Sequence, residues 1–375
     1  MKSSFTRFSA VIAKGMLPSS VRIYALAALV VVFTLAGCVR RVSEPTPEVK
    51  KPVSVEAAGP STDTNSLKAL AEKRGIRFGA NYNYETRGLV YDQVFETEMN
   101  LMAVGTFWSD GSRMSRTAFD FREVDAKVAW GRERHMQMYG QTLVWFEELP
   151  DWVKATPTAD IEAVMNEHID AMVGRYKGQI QYWNVVNEAV DTDGTIRLRN
   201  PWAEAMGKDY IRKAFARAHA ADPSAILYYN DFDIESIETK YEGVKALLKT
   251  LKSQNVPVHA LGWQMHVKPD SFNTATWLTR MNEIADLGFD NYITELDVEL
   301  PVGASKADYE QQKQTYKKVV QTFLAARRHK NIAVWGLCDG NDLYWLTKNH
   351  PLLFDESHKK KPAYFGVQEA LLGIP

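Results

Sequence analysis

YWNVVNEAV, residues 182–190, is rich in β-branched and aromatic side chains and then stops on an amide and a carboxylate, Asn187 and Glu188. Such a run has the make-up of a buried strand whose far end meets something polar. Working outward, Ile76 to Ala80, Gln141 to Trp145, Ile226 to Tyr229, Ala260 to Gln264, Asn291 to Thr294 and Ile332 to Leu337 read as strands like Gln181 to Val186. An eighth is expected around Val94 to Leu101, where the pattern is poorly marked. Between strands lie helical stripes. Ile161, Val164, Met165, His168, Ile169, Met172, Val173 and Tyr176 keep one face apolar, with Asp160 placed to cap the helix and Gly178 to stop it. Tyr210, Ile211, Ala214, Phe215 and Ala218 repeat the pattern. Short buried strands alternating with helices over roughly 300 residues predict an α/β fold, a single (β/α)8 TIM barrel, with a doubly wound open sheet as the competitor.

Both architectures put chemistry at the carboxyl ends of the strands. Polar residues collect there: Asn187 and Glu188 after one strand, Asn230 and Asp231 after another, then Gln264 and His266, Glu295 and Asp297, and Asp339. Recurrence after strand upon strand is what makes the placement informative.

The chain has 375 residues, 45% of them hydrophobic, and a formal net charge of -1, so a basic nucleic-acid binder is not expected. Ten Trp and sixteen Tyr exceed the ordinary needs of packing and offer surfaces for flat ligands. There is no glycine-rich phosphate loop, no GxSxG elbow and no HExxH, and the eight histidines lack ligand spacing. Neither a metal nor a cofactor is expected.

The first residues read as a targeting segment. Lys2, Arg7, Lys14 and Arg22 precede an apolar run from Ile23 to Ala36, which has the length of a signal-peptide core. The run closes on Leu35-Ala36-Gly37-Cys38, which resembles a bacterial lipobox and implies cleavage after residue 37 and lipidation of Cys38. Residues 38–65, with Pro45, Pro47, Pro52 and Pro60 among polar neighbours, read as a tether, and residues 66–375 as the catalytic domain. The protein is thus expected to be exported, held at the cell envelope by lipid on Cys38, and monomeric. Cys338 would be the one other cysteine, with no disulfide partner, and is expected as a small buried apolar residue.

Glu188 and Glu295 each lie just beyond a buried strand, about half a barrel apart in chain order. Two facing carboxylates can cleave a glycosidic bond, one protonating the leaving oxygen and the other meeting the developing cation. Strand-end acids also serve as ion-pair partners and caps, so the pair alone leaves both readings open.

The flanking residues narrow it. WNVVNE (183–188) and ITELDV (293–298) resemble the two signature segments of glycoside hydrolase family 10, the endo-β-1,4-xylanase family. GQTLVW (140–145), RYKGQIQYW (175–183), YYNDF (228–232), GWQMHV (262–267), VWGLCD (334–339) and PLLFD (351–355) resemble it in the same order, over nearly everything from about Arg74 onward. The resemblance implies a (β/α)8 barrel and retaining hydrolysis of a β-linked polysaccharide, with Glu188 as acid/base and Glu295 as nucleophile. A retaining pair sits about 5 to 5.5 Å apart, close enough for the Glu295 charge to raise the pKa of Glu188. Asn187 would bond the sugar 2-hydroxyl; His266, with Asp297 and Gln264, would orient Glu295. Trp145, Trp335 and Trp345 would wall the sugar pocket, and Glu98 and Gln141 would be further sugar contacts.

Five positions depart from the family. It usually has His where this chain has Gln141 and Phe146, and Tyr where it has Phe232. Its second-strand Glu-Asn pair and Lys align with Glu98, Met99 and Met102, which keeps only the Glu. Losing polar contacts while keeping the catalytic pair redirects or relaxes specificity. Expected outcomes are weak activity on plain xylan or a preference for a substituted or different β-glycan. The rival readings are a carbohydrate-binding barrel without turnover and a structural envelope lipoprotein.

Overall fold

The run that opens on Tyr182 is a strand, with parallel neighbours on both sides. A computed structural model of the chain describes residues 63–85, 87–105, 108, 112–340 and 348–374, which belong to one unit, Ala58–Pro375. The expected leader, Cys38 and most of the tether, together with Trp345, lie outside the described residues. The strands are β1 (Arg77–Asn81), β2 (Leu101–Gly105), β3 (Gln137–Gln141), β4 (Tyr182–Asn187), β5 (Ile226–Asp231), β6 (Ala260–Trp263), β7 (His266–Val267), β8 (Asp290–Val298) and β9 (His329–Val334). Each of β1 to β5 pairs in parallel with the next, β5 pairs with β6, β6 with β8, β8 with β9, and β9 returns to β1. Eight strands therefore close a barrel, and the open-sheet alternative falls because no member of the ring has a free edge. β7 is a short step at the mouth, pairing His266 with Asp297 and Val267 with Val298 on the upper end of β8.

Closure follows from burial on both strand faces. One face of the ring packs outward against the helices, and the other fills the bore with Leu101, Ala103, Tyr139, Tyr228, Ala260, Tyr292, Ala333 and Trp335. A small barrel is a packed core, not a channel, and alternating Ala with Tyr fills its taper. Glycine is required where strand and core approach most closely: a Cβ on Gly140 would lie 2.2 Å from the Trp183 ring.

Three strand expectations shift. The strand expected over Gln141 to Trp145 is β3, which ends at Gln141; Leu143 and Val144 continue it toward the mouth by bonding their N–H groups to the Asn184 and Val185 carbonyls at 3.0 Å. Val94 to Glu98 is the end of a helix, Leu89–Glu98, which buries Tyr91, Phe95 and Glu98, and β2 begins only at Leu101. The pattern is poor there because helix and strand meet with no glycine or proline between them. β8 runs through Glu295 and Asp297 instead of stopping before them, with its pairing to β9 shifting register between Ile293 and Leu296.

Candidate active site

β4 ends at Asn187, and Glu188 then takes a φ of 57°, in the left-handed region that few side chains adopt. Consecutive strand residues point to opposite faces; this turn instead brings both side chains to one place, and Asn187 Nδ2 donates to Glu188 Oε1 at 2.9 Å. The turn is pinned by neighbours. Glu188 N–H donates to the Asn230 carbonyl at 2.8 Å, and Ala189 N–H donates to the Tyr229 hydroxyl at 2.9 Å.

Each carboxylate faces three hydrogen-bonding groups. Glu188 Oε1 also accepts from Gln264 Nε2, and its Oε2 from Trp145 Nε1, each at 2.9 Å. Glu295 Oε1 accepts from Gln141 Nε2 at 2.6 Å and Asn230 Nδ2 at 2.7 Å. Its Oε2 faces His266 Nε2 at 3.2 Å, and His266 Nδ1 lies 2.6 Å from Asp297 Oδ2. Asn187 Oδ1 links the two halves, accepting from Asn184 Nδ2 and Asn230 Nδ2 at 2.9 Å. Gly262 has no side chain because a Cβ there would come within 2.2 Å of Asn230 Oδ1.

Asn187 and Glu188 are only 4% and 9% exposed. Burial is the main reason the Glu188 carboxyl is pushed up to about 7; the charges of Asp231 and Glu295 add to it, while the bonds from Gln264 and Trp145 oppose it. The Glu295 charge thus raises this pKa as expected, but burial and the charge of Asp231 raise it more. For His266 burial opposes the charge, but Asp297 and then Glu295 outweigh it and hold the imidazole pKa well above its usual value. An imidazolium donating from both nitrogens suits a position between two carboxylates.

The sequence model of Glycosyl hydrolase family 10 matches residues 66–370. The chain belongs to this family. It is 31% identical over 316 residues to Endo-1,4-beta-xylanase B of Thermotoga neapolitana, covering 81% of this chain and 91% of that protein. It is 34% identical over 273 residues to Exoglucanase XynX of Acetivibrio thermocellus, covering 68% of this chain and 25% of that longer protein. Its fold is similar to xylanase 10B from Thermotoga petrophila RKU-1 in complex with xylobiose, with a TM-score of 0.78, 33% identity, and 82% of this chain and 97% of that chain covered. As a family 10 member the protein is a glycoside hydrolase.

Within this family 10 barrel, Glu188, Glu295, Asn187, Gln264, His266, Asp297, Gln141 and Trp145 come together as one bonded set. Trp335 sits in the bore among Tyr292, Ala333 and Leu352, nearly buried. Glu98 does not join the set. It precedes β2 rather than following it, and it accepts from Leu67 N–H and the Tyr364 hydroxyl, each at 2.9 Å, and pairs with Lys360 at 2.9 Å. A glutamate enclosed by two helices at the amino ends of the strands cannot contact a ligand at the carboxyl ends. Met99 and Met102 are likewise core, and the mouth end of β2 is Ala103-Val104-Gly105. Gln141 is 2% exposed and has both ends of its amide engaged, so it is a partner of Glu295 more than a free sugar contact. Asp339 also serves structure, pairing with Lys361 at 2.7 Å and accepting from Leu352 N–H.

Asn184, Asn230, Tyr228 and Thr294 also belong to the network, beyond the site residues expected from the motifs. Asn184 carries a signal: a lone amide between Trp183 and Val185 in an apolar strand needs a buried partner. Asn230 stands in the strand-end polar set. The tyrosine and threonine give no such sign. Among the described residues no group of three or more His, Cys, Asp and Glu is arranged to hold a metal ion.

Proposed function

We propose that this protein is a retaining endo-β-1,4-xylanase in which Glu188 is the acid/base and Glu295 the nucleophile. The observation that carries the reading is the unequal treatment of two neighbouring carboxylates: burial lifts Glu188 to about 7, while Glu295 faces three donors, one of them the His266 imidazole. A carboxyl that stays protonated beside one held as an acceptor is the pair that double displacement needs. In the first step Glu188 gives its proton to the leaving glycosidic oxygen while Glu295 bonds to the anomeric carbon. In the second, water adds to that carbon, its proton passes to Glu188, and the bond to Glu295 breaks.

Xylan is the substrate favoured by the relatives, one of which was solved with xylobiose. Phe146, Phe232 and the apolar end of β2 favour a second reading, a preference for a substituted or different β-glycan. The described mouth end of β2, Ala103-Val104-Gly105, carries no carboxylate, so it offers no side-chain acceptor to select plain xylose. Product analysis on a panel of β-glycans, wild type beside Glu295→Ala, tests both. Oligosaccharides from xylan with retained anomeric configuration support the first; release only from another glycan replaces the substrate and keeps the mechanism. If the wild type releases no more sugar than Glu295→Ala on every glycan, the enzyme reading fails.

The mature protein is further proposed to be lipid-anchored through Cys38, on the strength of the Leu35 to Cys38 tetrapeptide and the basic and apolar residues before it. In a bacterial host, Cys38→Ser should move it from the membrane fraction to the soluble one; an unchanged distribution counts against the anchor.

A further inference from the structure

The two oxygens of Glu295 are bonded differently. Oε1 accepts from Gln141 Nε2 at 2.6 Å and Asn230 Nδ2 at 2.7 Å, which occupies both lone pairs of a carboxylate oxygen. Oε2 has the longer contact, 3.2 Å to His266 Nε2, and keeps a lone pair. We propose that Gln141 and Asn230 clamp Oε1 as the future ester carbonyl, so that Oε2 is the oxygen that bonds the sugar and Gln141 governs how fast the sugar leaves it. The proposal rests on Glu295 being the nucleophile.

The direction of each amide is dictated by its neighbours. Gln141 Oε1 accepts from Asn184 Nδ2 at 3.1 Å and the Tyr228 hydroxyl at 3.3 Å, which turns its NH2 toward Glu295. Asn230 Oδ1 accepts from the Thr294 hydroxyl at 2.7 Å, which turns its NH2 the same way. Reversing either amide would set its oxygen against a carboxylate. Where the family usually has a titratable imidazole, this chain has a neutral amide, so the donor on Oε1 is present at every pH.

The chemical consequence concerns the second step. Hydrogen bonds to an ionised carboxylate are about twice as strong as those to a neutral carbonyl, so the clamp favours free Glu295 over its glycosyl ester. As water bonds to the anomeric carbon and gives its proton to Glu188, the C1–Oε2 bond breaks and its electron pair returns to Glu295. The clamp receives that charge. Gln141 is thus a positioning residue for the nucleophile, acting on the leaving carboxylate and not on a sugar hydroxyl.

An aryl β-xylobioside with a dinitrophenolate leaving group tests this, because its fast first step makes ester breakdown rate-limiting. Gln141→Met keeps the shape and removes the N–H. Loss of one charge-assisted bond should lower kcat about 10- to 100-fold, with KM falling in parallel, kcat/KM nearly unchanged, and a burst of dinitrophenolate. Gln141→His, which can supply an N–H, should recover part of kcat. Equal losses in kcat and kcat/KM with no burst would overturn the clamp and return Gln141 to a sugar-contact role. A wild-type enzyme silent on the dinitrophenyl glycosides of xylobiose and of every glycan in the panel would instead overturn the glycosidase reading, and the clamp with it. If Gln141→Met does not fold, Thr294→Val loosens Asn230 on the same oxygen and must show the same split. The wild-type glycosyl ester, trapped with a fluorinated sugar, gives a check that needs no substitution: the bond must run through Oε2, with Oε1 still in reach of Gln141, and a bond through Oε1 refutes the assignment.

Discussion

The surroundings of Glu188 and of Glu295 are built from the same material, side-chain amides meeting at Asn187, yet they differ in the charge of their donors. Around Glu188 the donors are two amides and an indole, all neutral, and desolvation prevails, so the proton stays on to about 7. Around Glu295 the donors include His266, whose own charge is maintained by Asp297 behind it. The lesson is that three hydrogen bonds do not by themselves keep a buried carboxyl ionised: the donors to Glu188 are neutral and do not replace the hydration it loses.

Removing either member should break the contrast, with unequal cost. Glu295→Ala takes away the proposed nucleophile, and kcat on polymer should fall by at least about 10⁴-fold, with no covalent sugar detectable by mass spectrometry. Glu188→Gln should cost about 10²- to 10⁴-fold on polymer but far less in kcat/KM on the dinitrophenyl glycoside, whose leaving group needs no proton; kcat on that substrate should still fall, because ester breakdown loses its base. Wild-type kcat/KM should decline as pH rises through about 7, because the proton that Glu188 must donate is lost there, and Glu188→Gln should abolish that limb. A limb that survives the substitution belongs to another group.

How much of this is legible in the sequence depends on where each residue sits. Glu188 and Glu295 stand out because their carboxylates end or interrupt strands of otherwise apolar or β-branched residues, and the ring of strands follows from alternation with amphipathic helices. Glu98 is misplaced by pattern alone because a helix running straight into β2 leaves no boundary mark, so the register slides by about a strand's length and a helix-enclosed glutamate reads like one at the mouth. Gln141 is visible as a departure, but its bond to Glu295 crosses the barrel from β3 to β8, which no local pattern encodes. The order of causes behind the Glu188 pKa is also hidden, since burial is a property of the closed ring.

Glu235 offers a third carboxyl for the same comparison. It too is buried and pushed up to about 7, chiefly by burial, but Oε2 has no hydrogen-bond partner among the described residues. Its folded pKa lies above its ordinary value of 4.5. The native state therefore holds a proton that the unfolded chain releases, and stability declines as pH rises from about 4.5 to about 7, by up to about 3 kcal/mol. Glu235→Gln cannot lose a proton, so its denaturant-unfolding stability should fall less over that interval than the wild type's. Parallel pH profiles for the two proteins would mean that Glu235 titrates normally.

The smallest effect bears most directly on the mechanism. Glu295→Gln removes the nucleophile's charge and keeps its shape, much as esterification does. Of the influences raising the Glu188 pKa, burial comes first and Asp231 precedes Glu295, so the substitution should lower that pKa only part of the way from about 7 toward its ordinary 4.5. Carboxyl titration followed by NMR on isotope-labelled glutamate reads this directly. A Glu188 that returned to 4.5 would make Glu295 the dominant control and the barrel's burial incidental. With burial dominant, Glu188 remains a fairly weak acid even in the glycosyl-enzyme, and it is then the better base of the second step only above its still-raised pKa. The two half-reactions therefore make different demands on pH: the first needs the proton on Glu188 and the second needs it off, and the permanent amide donors on Glu295 Oε1 ease the second step without adding a titration of their own.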